Sequence, residues 1–564
     1  MRSYIAIVAF LAVCTVSSAQ PLIAPRGIVN GASFMAPGLP AGSIAQGSLF
    51  TIFGIRLGPT SSPGLSFPLS TTLGGVSVKI TQGATTVEAI PVFVGPGQIN
   101  AIMPSDAPLG KVSIRVTGTF AGTVIPGPPS PANIVTTSVG IFGVNSAGTG
   151  QGVMQQFVSA KQMPYNAPAL TAKPGQVIIL YATGLGAIQG PDNEAPPSGN
   201  LSAPVEVFVG GVSATVQYHG RSSCCAGLDQ INFQVPANAP TGCWVPIQVR
   251  TNSTVVSNTV TMAISSNGGG ACSDPLNALS QPFLAGKKIG VIALLHADVT
   301  EDVGLPTPGS VITDAAMLTF QQEQATPVAP FHPIFSLPPA GTCTAYAATG
   351  DLFDGANFPG PLTTGKFLDA GATFALIAPN AQRNMGRSAD NERNFQPLGY
   401  TYSGYANSQN ASTLVLVPGN YTLTGPGGAD VGAINVKFNI PTNYALTWTN
   451  RDTTEIITRS QGFTINWTGA PAGEPVIIYG GGVDTPHNAT ALFVCVASPG
   501  SSSLTIPPQI LANIPGTRRN LLRSKGVVYV GALPTSSPIN FTASGLDVGV
   551  ILPGAFFGKT VIFQ

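Results

Sequence analysis

Apolar residues recur at every second position over short stretches: Val76, Val78 and Ile80; Val212, Ala214 and Val216; Phe463, Ile465 and Trp467. Gly, Pro and Asn punctuate these stretches at short spacing. A period of two puts alternate side chains on opposite faces of an extended chain, so each stretch predicts a strand with one buried face. Further strands are read at residues 372–377, 420–424, 476–479, 492–496 and 527–530, with a last one closing the chain at 559–564. No ten-residue stretch carries a capped helical period; the one short helix expected lies at 318–324. Turn signals roughly every 8 to 12 residues predict an all-β protein, a string of antiparallel immunoglobulin-like β-sandwich domains.

The pattern repeats. Gly47 to Gly58 (GSLFTIFGIRLG) returns 128 residues on as Gly175 to Gly186 (GQVIILYATGLG). Gly74-Gly75-Val76 returns 136 on as Gly210-Gly211-Val212. Gln98-Ile99-Asn100, with Pro104, Pro108 and Gly110, returns 132 on as Gln230-Ile231-Asn232, with Pro236, Pro240 and Gly242. Three matches in the same order, with small changes of offset, mean two copies of one domain with loop insertions. These motifs resemble the immunoglobulin-like, IPT/TIG-related repeat found in many secreted acidobacterial proteins, the resemblance covering residues 25 to 265. It implies paired β-sandwiches in an extracellular setting and no catalytic residue.

The expected organisation is then a signal peptide at 1–19, repeat 1 at 25–138, repeat 2 at 139–265 and a flexible Gly-rich linker at 266–272. An irregular β domain follows at 273–449 and a C-terminal β-sandwich module at 450–564, divided at the polar Asn450-Arg451-Asp452. Arg2, the apolar run from Tyr4 to Val13 and the small residues Ser17-Ser18-Ala19 read as an export signal cleaved after Ala19. Lipidation at Cys14 is the weaker reading, because Val13 is bulkier than the residue expected there. No later segment reaches the roughly 18 apolar residues of a membrane helix.

Charge narrows the class. Only 8% of the 564 residues are charged and the net charge is +1, against roughly 25% charged residues in ordinary soluble domains. Charge-driven nucleic-acid binding and charged coiled coils are excluded on this ground. After the leader, six cysteines remain: Cys224, Cys225, Cys243, Cys272, Cys343 and Cys495. In an exported chain they predict disulfides. Adjacent Cys224 and Cys225 are each expected to pair with Cys243 or Cys272, while Cys343 and Cys495 pair with each other or stay buried.

Candidate chemistry is sparse. Gly360 to Lys366 has phosphate-loop spacing, but Phe367 stands where a Ser or Thr should be. His296, Asp298, Glu301 and Asp302 form the densest polar group and read as a solvated turn, with calcium as the alternative. No Gly-x-Ser-x-Gly elbow occurs. Trp448 and Trp467 share parity with apolar neighbours and are read as core, whereas Trp244 lies opposite Val245, Ile247 and Val249. It is a possible ligand platform or a partner of the Cys243 disulfide. Arg518, Arg519, Arg523 and Lys525 form the one basic cluster, a solvated loop or an anion contact. No catalytic residue, cofactor or metal site is expected. The function expected is an exported structural or adhesive protein that contacts cell-surface or extracellular protein or polysaccharide. The alternatives are a polysaccharide binder using exposed aromatics and a hydrolase with its site in 273–564.

Overall fold

The computed structural model describes residues 20–564 except 40, 121, 197, 302–308, 323–331, 333–334, 350–365, 387–399, 405–415, 443, 485–488 and 519–523. The expected leader, Cys14, Asp302, Arg519, Arg523 and most of the phosphate-loop lookalike lie outside the described residues.

Repeat 1 is a sandwich. A four-stranded sheet in the order Leu22–Asn30, Leu49–Ile55, Gln98–Ile102, Ile90–Val94 faces a seven-stranded sheet centred on Val76–Gln82 and Gly110–Phe120. Phe50, Ile52 and Ile99 from one sheet meet Val78, Ile80 and Ile114 from the other, all with no exposed surface. The period-two residues read from the sequence are thus the inward set.

Repeat 2 closes differently. The ten-residue strand Val212–Arg221 pairs with Asp229–Gln234 through its second half and with Val205–Val209 through its first, with a register shift between Val216 and Tyr218. One long strand therefore serves both walls around Ile178, Leu180, Ile231, Phe233 and Ile247. The two-residue turns at Gly74-Gly75 and Gly210-Gly211 have positive φ at both positions, the conformation of a type I′ hairpin that a Cβ disfavours. Their strands are used in opposite ways. In repeat 1 the strand after the turn pairs with Gly110–Phe120, and in repeat 2 the strand before it pairs with Gly242–Thr251.

Beyond residue 273 the expected boundary at 450 does not divide the sheets. One 11-stranded sheet contains strands from both sides of it. Strand Lys288–Glu301 pairs along its whole length with Gly309–Gln322 and runs parallel to the 16-residue strand Val548–Phe563. Strand Thr342–Thr349 pairs with Ala489–Ala497. Asn450-Arg451-Asp452 is a turn against this sheet: Arg451 bonds Asp298 at 3.4 Å and lies over the Phe557 ring.

The helix expected at 318–324 is also overturned, because through Gln322 this segment is strand. Ala316, Leu318 and Phe320 alternate into a core, and cross-strand pairing on both sides outweighs a local preference. The described α-helices are the short segments Ser280–Leu284 and Pro508–Leu511.

One face of the large sheet presents Ile477, Tyr479, Val494, Val496, Val550 and Leu552. The opposite face is covered by two smaller sheets. Strands Gln382–Gly386, Thr373–Ile377, Gly419–Gly425 and Ile434–Ile440 cover one part of it. Strands Thr447–Trp448, Phe463–Thr468 and Ser503–Ile506 cover the rest. Apart from the short helices the described residues form an all-β fold of predominantly antiparallel, sandwich-like layers.

Candidate functional site

The repeat motif has a structural and an outward part. Ile99 and Ile231 point into their cores with no exposed surface, so the flanking Gln and Asn of each Gln-Ile-Asn must point out. In repeat 1 the Gln98 Nε2 donates to Asn100 Oδ1 at 2.8 Å, and Thr51 Oγ1 donates to the same oxygen at 3.0 Å. In repeat 2 the Gln230 Nε2 donates to Asn232 Oδ1 at 3.0 Å.

Each amide pair is flanked by rings at equivalent positions. Phe53 stands opposite Gln98 and Tyr181 opposite Gln230; the two rings are 128 residues apart, the offset of the first repeat match. Phe93 stands opposite Asn100 and Tyr218 opposite Asn232. Phe53 is 36% exposed and Phe93 40%; Tyr181 and Tyr218 are half-buried. Tyr165, 61% exposed, adds to the second face beside Tyr181, whose hydroxyl donates to Gln155 Oε1 at 2.8 Å. Burial, and after it the Tyr165 phenol, raises the Tyr181 pKa above its ordinary value. The result on each repeat is a neutral strip of aromatic rings and carboxamides. The sequence signal for it is the 128-residue repeat offset, which relates Phe53 to Tyr181.

The two repeats are locked together at a seam. The buried Arg221–Asp229 ion pair sits there, and Arg221 Nη2 donates to the carbonyls of Gly47 at 2.7 Å and Gly186 at 2.6 Å. Leu185 N donates to Asp229 at 2.8 Å. Burial pushes the Asp229 carboxyl up, against the pull of Arg221 and of the backbone amides. Across the same seam Leu49 N donates to Thr183 Oγ1, and Ser105 donates twice to Asp192.

The cysteines pair otherwise than expected. Cys224 and Cys225 lie at bonding distance of each other, and Cys243 lies at bonding distance of Cys272, with a Cα separation of 5.1 Å. The reason is location. The Cys224 loop joins the strand ends at Arg221 and Asp229, at the repeat seam, while Cys243 starts the Gly242–Thr251 strand beside the C-terminal sheet. Cys343 and Cys495 face each other across paired strands, with a Cα separation of 4.0 Å.

Trp244 is no platform. It is 1% exposed and packed with Cys243, Cys272, Leu279 and Phe283. Its strand parity holds, since Val245, Ile247 and Val249 fill the repeat 2 core and Trp244 faces away from it. The outward face is covered by the next part of the chain: Trp244 Nε1 donates to Ser280 Oγ at 3.4 Å, and Gln248 Nε2 to Gln509 O at 3.1 Å. A register shift between Gly242 and Val245 lets Cys243 and Trp244 enter the same cluster. Trp448 and Trp467, paired across strands, are buried as expected.

The linker at 266–272 is pinned to repeat 2. Gly269 N donates to Thr171 O at 2.8 Å, Thr171 N to Gly270 O at 3.0 Å and Cys272 N to Pro168 O at 2.7 Å. Asp274 continues the joint by accepting from Cys243 N and Ser280 Oγ. Burial raises its pKa against these hydrogen bonds.

His296, Asp298 and Glu301 lie on a strand, not in a turn, where His296 and Asp298 share one face and Glu301 takes the other. His296 Nδ1 bonds Asp314 at 2.7 Å, and Asp298 accepts from Ser310 at 2.8 Å. Among the described residues no group of three or more His, Cys, Asp or Glu side chains could hold a metal ion. Arg518 is exposed, and Lys525 is the second residue of the strand Ser524–Ala532. An open cleft lined by Thr373, Phe374, Ala375, Asn384 and Thr424 to Pro426 contains no titratable side chain. No described helix is long and apolar enough to cross a membrane.

No family description matches the chain, and no curated protein does. Among solved structures the chain is similar to the titin Ig tandem domains, with TM-score 0.12, 8% identity, and coverage of 40% of this chain and 90% of that one. It is also similar to the FN1-FN3 domains of chicken CNTN1, with TM-score 0.13, 8% identity, and coverage of 67% and 93%. At these scores the likeness carries no argument, and the sandwich assignment rests on the sheets of the chain itself.

Proposed function

We propose that the chain is an exported, non-catalytic structural or adhesive protein at or outside the cell surface, and that its two repeats present a paired face to a neutral polysaccharide. The observation that carries this reading is the twin placement of rings opposite the outward amides, Phe53 and Phe93 in repeat 1 and Tyr181 and Tyr218 in repeat 2. A sandwich core needs only the inward set of side chains. An exposed ring offers a flat apolar surface, and a carboxamide beside it offers both donor and acceptor. Together they suit a chain of hydroxyl groups on apolar ring faces, a ligand that brings no charge. A chain with 8% charged residues has little long-range steering, so such recognition is short-range and weakly salt-dependent. Three cysteine pairs at bonding distance and the leader-like N-terminus favour an oxidising, exported setting. The hydrogen-bonded seam favours two faces held in fixed relation.

The test is binding of the purified mature chain to a panel of insoluble polysaccharides and to its own cell envelope. The double variant Phe53→Ala, Tyr181→Ala is compared with the wild type at low and high salt. Binding should fall at least about fivefold, while the variant keeps the wild-type fold by circular dichroism, because neither ring belongs to a core cluster. Unchanged binding by the variant refutes the face. Binding to envelope protein alone moves the reading to protein contact.

A further inference from the structure

We propose that Cys224–Cys225 is a thiol-exchange site, opened by a small external thiol, whose opening loosens the seam between the two repeats. Accessibility separates it from the other two cysteine pairs: Cys224 and Cys225 are both exposed, whereas Cys243, Cys272, Cys343 and Cys495 are 5% exposed or less. A thiolate must reach a sulfur to attack it, so the buried pairs are shielded in the native state.

The polarity of attack follows from Ser222. Its hydroxyl lies 3.4 Å from Cys224 Sγ, and a disulfide sulfur has no proton to give, so the hydroxyl is the donor. That hydrogen bond strengthens once Cys224 carries negative charge. The incoming thiolate attacks Cys225 Sγ, a mixed disulfide forms there, and Cys224 leaves as the thiolate. A second thiol resolves the mixed disulfide, giving two cysteine thiols and one molecule of external disulfide. Two electrons pass from the two external thiols to the protein.

The consequence follows from where the loop sits. Cys225 N donates to Ser222 O and Leu228 N to Cys225 O, which folds the loop back on itself. Its far side lies on repeat 1: Ala226 packs with Leu69, Ile90 and Ile102. Gly227 approaches so closely that a Cβ there would lie 3.0 Å from Ile102 and 3.1 Å from Leu49. Gly227 O also accepts from Thr183 Oγ1, the group that receives Leu49 N across the seam. Opening the ring frees the loop that buttresses these contacts.

The experiment uses the full oxidised chain, graded dithiothreitol, alkylation of free thiols and peptide mass mapping. Cys224 and Cys225 should be labelled together at dithiothreitol levels that leave the other two pairs intact. Simultaneous or earlier opening of Cys243–Cys272 or Cys343–Cys495 overturns the site. Hydrogen exchange on the selectively reduced protein should speed up at least about tenfold at the Leu49 amide and remain unchanged at Leu180 in the repeat 2 core. Unchanged exchange at Leu49 overturns the coupling to the seam. The variant Cys224→Ser, Cys225→Ser should reproduce the reduced exchange pattern without any reductant. Ser222→Ala should slow the opening several-fold with the disulfide still formed, and an unchanged rate overturns the assigned polarity.

Discussion

Arg221→Met keeps a long apolar stem and removes the guanidinium from the repeat seam. The Arg221 side chain is 2% exposed and that of Asp229 not at all, so the variant leaves a carboxylate in a dry site with only backbone donors such as Leu185 N. Removing one member of a buried ion pair costs about 3–5 kcal/mol. The carbonyls of Gly47 and Gly186 also lose their donor, at about 1 kcal/mol each where water does not replace it. The expected loss is on the order of 4 kcal/mol or more. Since Arg221 is what opposes the upward push of burial on Asp229, that pKa rises further in the variant. A carboxyl whose folded pKa lies above its unfolded value favours the fold below the unfolded pKa and penalises it as pH rises, so the deficit is smaller near pH 4 than at pH 7. Native-state hydrogen exchange at Leu185 and Leu49 reads the change locally, which a chain with several cores requires. The double variant Arg221→Met, Asp229→Leu should recover much of the loss, because no unpaired charge remains. A loss below about 1 kcal/mol in the single variant would refute the role given to the pair.

Trp244→Ala should cost about 3–5 kcal/mol and speed exchange on both sides of the joint, in Gly242–Thr251 and in Val548–Phe563; an effect confined to repeat 2 would refute the joint. Gly210→Ala should lose at least about 1–2 kcal/mol in thermal or denaturant unfolding, because φ is +58° and a Cβ would overlap Pro240. Gly269→Ala is the control, with φ +75° but open space around the new methyl, and should cost less; equal costs would show that Pro240 is irrelevant. Burial pulls the His332 pKa down to about 3, with its ring stacked 4.0 Å from that of Phe335. The unfolded chain takes up that proton first, at about pH 6.5. Stability from this site is therefore complete above about pH 6.5 and erodes toward pH 3, by on the order of 1–2 kcal/mol between pH 7 and 5. His332→Phe should flatten the unfolding profile over that window, and identical slopes for the two proteins would sink the assignment.

The strands were legible because alternation is a local signal. Val76, Val78 and Ile80 all face a core, as do Ile465 and Trp467. The duplication was legible because Gly74-Gly75 and Gly210-Gly211 each need a backbone that glycine alone adopts freely. The segment at 318–324 was misread because a run of apolar and polar residues suits either period until its partners are known. Its partners, Lys288–Glu301 and Tyr400–Gly404, lie on either side of it in the chain and far apart in sequence.

Sequence by itself determined which faces of the strands are apolar and that one domain occurs twice, since period, turn chemistry and repetition act over neighbouring residues. Only the tertiary structure decided what covers each outward face. Trp244 and Phe53 are both large rings on the outward side of a repeat strand, yet one is sealed under Phe283 and Leu279 and the other is 36% exposed. The same holds for the cysteines, whose order along the chain does not say that Cys224 and Cys243 lie at opposite seams of repeat 2. Contacts between residues hundreds of positions apart depend on how sheets dock, which no local pattern encodes.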